Sequence, residues 1–172
     1  MVVKTIFLIL SSLFISTMQG VFIPKLFSHS EFFAIFIPNT LFAFVFLCGA
    51  LGGYLKGLYV GMLSGLLYGM FFSENLILSV IIYSAIGLIA GIVFNFLTRH
   101  IIFCLLCTFI GSVIFTSVQA FIVSFNLTSF TFDFYNMLII LTTSFSTTIA
   151  RVILYYPVLW MTTPQRILPI NN

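Results

Sequence analysis

The chain has 172 residues, 62% of them hydrophobic and 5% charged, with a mean hydropathy of +1.28 and a formal net charge of +3. A soluble domain carries roughly 25% charged residues, so a water-facing surface over most of the chain is excluded. Lys4, Lys25, Lys56, Arg99, Arg151 and Arg166 are scattered, which excludes the clustered basic surface that nucleic-acid binding requires. At ~20 apolar residues per crossing, the composition predicts an all-α integral membrane protein. One polytopic domain over residues 1–172 is expected, a compact bundle of about six transmembrane helices.

The first predicted span covers 5–23. Lys4 and the apolar run after it resemble the start of a signal peptide. The apolar character continues past Gln19 without a small-x-small cleavage site, so a retained helix is expected, ended by Pro24 and Lys25. The second span, 32–52, contains Pro38-Asn39, which places the true helix start near Pro38 and residues 31–37 at the interface. Gly52 and Gly53 supply the turn that follows.

The third span, 54–72, carries Gly57, Gly61, Gly65 and Gly69 at four-residue spacing, with Gly53 in the turn before them. In water each interior glycine would cost ~1 kcal/mol relative to alanine. In a membrane such residues let another helix backbone approach closely. Each step of four drifts ~40° around the axis, so the seam is expected to suit neighbours that cross the helix. The third helix is then the expected packing hub, with an external partner left to other faces.

Residues 73–75 interrupt before the fourth span, 76–98, which holds Gly87, Gly91 and Asn95. Thr98-Arg99-His100 precedes the fifth, 101–124, where Thr108, Ser112 and Thr116 form a small polar face with Gly111 and Gln119 nearby. Asn95 and Gln119 are expected to hydrogen-bond between helices. After a loop at 126–133, the sixth span runs over 134–156. Thr142, Thr143, Ser144, Ser146, Thr147 and Thr148 crowd its middle and are expected to serve packing, by bonding to the preceding turn or to a neighbouring helix. Tyr155, Tyr156 and Trp160 mark the exit from the bilayer. Pro157 is expected to end the helix, leaving 157–172 as a cytoplasmic tail. Arg151 then lies ~8 Å from the helix end, within snorkelling reach of the interface. It reads as a topology-setting anchor, with a functional charge as the alternative.

With the N-terminus cytoplasmic, Lys4, Lys56, Arg99 and Arg166 face inward and Glu31, Glu74 and Asp133 outward, Lys25 being the exception. This is the positive-inside pattern and places both termini in the cytoplasm. Cys48, Cys104 and Cys107 lie in apolar runs, and Cys104 and Cys107 lack a basic group that would activate a thiol. His29 and His100 are too few for a zinc site. No acidic residue is expected in the membrane core and no catalytic constellation is recognisable. A non-enzymatic protein without cofactor or metal is expected, its partners being the lipid bilayer and other membrane proteins.

Residues 38–91 resemble the rod shape-determining MreD family. The resemblance rests on Pro38-Asn39 opening an early helix, on Gly61, Gly65, Leu66 and Leu67 in a glycine- and leucine-patterned stretch, and on Tyr83, Gly87, Leu88 and Gly91 in the next helix. Gly69 stands where many members carry an aspartate, and Ile77 where they often have a glycine. The resemblance implies a non-enzymatic scaffold of the cell-wall elongation machinery in the bacterial inner membrane, maintaining rod shape and peptidoglycan synthesis. It implies as partners an MreC-like bitopic protein, an MreB-like filament, RodA and a class B penicillin-binding transpeptidase. Gly57, Gly61, Gly65, Gly69, Gly87 and Gly91 are the expected packing or partner seam. The alternative is a small substrate-binding membrane subunit, like that of an energy-coupling-factor vitamin transporter, using outward residues such as His29, Glu31, Glu74, Asn75 and Asp133.

Overall fold

In a computed structural model, the described residues are 2–22, 25, 39–72, 75–96, 101–126 and 134–162. Six helices make up the regular structure among them: α1 (Val2–Thr17, continued by a π turn, Met18–Phe22), α2 (Thr40–Gly52), α3 (Tyr54–Phe72), α4 (Leu76–Phe96), α5 (Ile101–Asn126) and α6 (Phe134–Thr162). Segments Tyr54–Phe72, Leu76–Asn95 and Met137–Thr162 are each long and apolar enough to cross a membrane. The expectations for Pro24, His29, residues 31–38, 73–74, 97–100, 127–133 and the tail from 163 lie outside the described residues. So do the side chains of Cys104 and Gln119.

The bundle is built around α2, not around α3 as its glycines suggested. Every side chain over 41–50 is buried, and α2 packs against all five other helices. An apolar sequence without a polar stripe is what a helix enclosed on all sides requires, and TLFAFVFLCGALG has none. At 13 residues and 1.5 Å per residue, α2 is ~20 Å long, short of the ~30 Å hydrocarbon core. It starts at Thr40, just past the expected Pro38, with Asn39 as N-cap: the side-chain oxygen accepts from the Phe42 N–H at 3.0 Å. It ends at Gly53, whose φ of 88° is the left-handed conformation that suits glycine, and α3 starts at once.

The last helix does not stop at Tyr156. It runs through Pro157 to Thr162. Proline removes one hydrogen bond and crowds the preceding turn, but packing beyond it holds the helix. Val158, Met161 and Thr162 are buried, the Ser11 hydroxyl meets Met161 Sδ at 3.5 Å, and Phe7 packs edge-on against Trp160. Lys56 Nζ donates to the Thr162 carbonyl at 2.9 Å, a cation at a helix C-terminus. The start of α1, the α2–α3 turn and the end of α6 therefore share one end of the bundle.

Polarity is distributed inside out. Ser12, Ser16, Ser64, Thr108, Ser112 and Thr147 are buried, while apolar ladders face outward, such as Leu106, Ile110, Ile114 and Val118 on α5. A water-soluble fold does the reverse.

Candidate functional site

The glycine ladder of α3 is taken up along its length by one neighbour. Antiparallel α4 lies against it in register, Gly57 facing Gly87, Gly61 facing Tyr83, Gly65 facing Ser79 and Gly69 facing Leu76. A methyl on Gly57 would sit 2.6 Å from Gly49 Cα and 2.8 Å from the Gly87 carbonyl carbon. One on Gly61 would sit 2.7 Å from the Tyr83 carbonyl carbon, and one on Gly65 2.7 Å from the Ser79 oxygen. Gly91 closes the seam against the backbone of Gly53 and Tyr54. The expected crossing neighbours are thus replaced by one helix running alongside for ~18 Å. The drift that suggested crossing does not break the contact, since each glycine from Gly57 to Gly69 meets α4. Gly49 of α2 joins Gly57 and Gly87, so three helices meet at three glycines.

Hydroxyls rather than glycines line the contact between α5 and α6. Thr108 and Ser112 of α5 and Ser144 and Thr147 of α6 are buried, and across the contact the Ser112 hydroxyl lies 3.5 Å from the Ser144 carbonyl oxygen. The crowded hydroxyls of α6 mostly bond to their own preceding turn: Thr142 to Leu138, Ser144 to Ile140, Thr147 to Thr143 and Thr148 to Ser144. Each donor is thereby satisfied within apolar surroundings. Gly111, by contrast, has only ring atoms of Phe42 and Phe46 close to where a methyl would stand, at 3.4 and 3.5 Å. Asn95 is exposed near the end of α4 rather than set between helices.

The N-terminus of α2 carries the polar tie that sequence reading missed. The Asn39 N–H donates to Thr147 Oγ1 of α6 at 2.9 Å. Gln19 Oε1 of the π turn accepts from both the Thr40 N–H, at 2.8 Å, and the Thr40 hydroxyl, at 2.7 Å. Three helices, α1 through its π turn, α2 and α6, are pinned where α2 leaves orphan donors. The available signals were a lone amide, Gln19, in an apolar span and an asparagine after proline. Thr147→Val keeps the shape but strands the half-buried Asn39 N–H, a loss of about 1 kcal/mol. Thermal unfolding in detergent should show that loss, with Thr147→Ser close to the parent chain.

Arg151 faces the interior, 2% exposed. Its guanidinium carbon lies 5.3 Å from the Phe46 ring centroid. The helix end from which the snorkelling distance was reckoned moves, because α6 continues past Pro157 to Thr162. Arg151 is then ~16 Å from the helix end at 1.5 Å per residue, beyond the reach of its side chain. Phe46 also belongs to a chain of ring contacts running through Phe42, Phe115 and Tyr83 to Tyr68. Cys48 is buried in α2, and the described residues hold no group of three metal-ligating side chains.

Comparison with family models, with curated proteins and with solved structures gave no match to this chain.

Proposed function

We propose that this chain is a multi-pass inner-membrane scaffold with both termini cytoplasmic, acting without chemistry of its own in the cell-wall elongation machinery. The observation that carries the reading is the division of its surfaces. The close-packing glycines are spent on the internal α3–α4 contact, while the outward faces are long apolar ladders suited to lipid and to other membrane helices. The resemblance of residues 38–91 to the MreD family supplies the partners: an MreC-like bitopic protein, an MreB-like filament, RodA and a class B transpeptidase. Gly69 accounts for one departure from that pattern. It is buried, and a Cβ there would lie 2.9 Å from Leu76 Cα, so the seam has no room for the aspartate.

The transport-subunit reading gains less. At the start of α2, where a broken helix would offer donors to an anionic substrate, the N–H groups of Asn39, Thr40 and Phe42 are engaged by Thr147, Gln19 and Asn39. Depletion of the protein in its host is expected to round the cells, and affinity purification to recover wall-synthesis proteins. Normal shape with loss of vitamin uptake and recovery of ATPase subunits would replace the scaffold with the transporter.

A further inference from the structure

One face of α6 changes character in order along its last turns. Ile149, Val152 and Ile153 are exposed and aliphatic, Tyr156 follows at 77% exposure, and Trp160 one turn later at 53%. Trp160 is held at this edge by α1, with Phe7 edge-on at 5.6 Å between centroids and Lys4 Nζ 5.6 Å from its ring centroid. Lys56 of α3 reaches the same final turn through the Thr162 carbonyl. Among the described residues the charged side chains at this end are these two lysines, both cationic. An aliphatic, aromatic, then cationic sequence along one face is the profile of a membrane from its acyl chains to its headgroups.

We propose that the edge formed by Lys4, Trp160 and Lys56 is a binding site for the headgroup of an anionic phospholipid. The aliphatic stripe of α6 takes the acyl chains, the indole sits at the level of the glycerol backbone, and the two ammonium groups meet the phosphate. The contacts of Lys4 with the indole and of Lys56 with a helix C-terminus hold both cations beside that turn, where a flexible loop would scatter them. The inference rests on the reading of the chain as membrane-inserted.

Trp160 is the single tryptophan of the chain, so its fluorescence reports this edge alone. The full chain is reconstituted into vesicles containing brominated-chain phosphatidylcholine or brominated-chain phosphatidylglycerol at equal mole fraction, and quenching is compared. Stronger quenching by the anionic lipid is expected, with a relative association constant on the order of fivefold per lysine that falls as salt is raised. Lys4→Gln should reduce the ratio, and Lys4→Gln with Lys56→Gln should bring it close to one. Because the ratio is internal to each sample, differences in yield between variants cancel. Equal quenching by the two lipids in the parent chain overturns the site while leaving insertion intact. Quenching by neither lipid overturns the insertion on which the site depends.

Discussion

Gly57→Leu is expected to abolish recovery of a monodisperse, folded protein in detergent, and Gly57→Ala to lower its stability by about 1–3 kcal/mol. The reason is what a side chain there would meet. Around Gly57 lie the Gly87 carbonyl and Gly49 Cα, all of them backbone, so no neighbouring rotamer can move aside. The α3–α4 hairpin would have to open along its length, with loss of the close dispersion contacts that hold membrane helices together. Gly111→Ala is the internal control. Its methyl would make ordinary contacts with Phe42 and Phe46 and remove the helix penalty of glycine, ~1 kcal/mol, so it should match or exceed the parent. Size-exclusion profiles and melting curves read both. A Gly57→Leu chain melting with the parent would refute the seam.

Arg151→Lys is expected to destabilise, although it keeps the charge. A planar guanidinium over the Phe46 ring has a stacking geometry that an ammonium lacks, and a desolvated pair of this kind is worth ~2 kcal/mol. The measurement is a double-mutant cycle with Phe46→Leu. Coupling of about 1–2 kcal/mol is expected between two residues in direct contact. A cation held at the membrane rim would instead accept lysine without loss and show no coupling to Phe46.

Much of the bundle was legible from the chain, and the remainder was hidden for definable reasons. Apolar runs and punctuation located six helices because a span must satisfy its backbone internally and is therefore long and uniform. The importance of the α3 glycines was legible too, since their cost requires a close neighbour. Their partner was not, because glycine spacing fixes a groove but not what fills it, and Gly87 and Gly91 were visible only as a separate pair. The distance of Arg151 from its helix end was underestimated through Pro157. A proline forbids a hydrogen bond but does not dictate a helix end when Val158, Met161 and Thr162 pack beyond it. The tie at Asn39 depends on a contact between residues 108 apart in sequence, which local pattern cannot report.

That separation has a consequence for how the protein is made. When α2 leaves the ribosome, Thr147 has yet to be synthesised, and at 5–20 residues per second the Asn39 N–H waits roughly 5–20 s for its acceptor. During that interval a short helix with one uncovered donor stands inside the nascent bundle, its sheath of later helices missing. Chains that stall or terminate before α6 would keep this defect permanently. An unfinished copy thus differs chemically from a finished one by an unsatisfied donor at the start of α2.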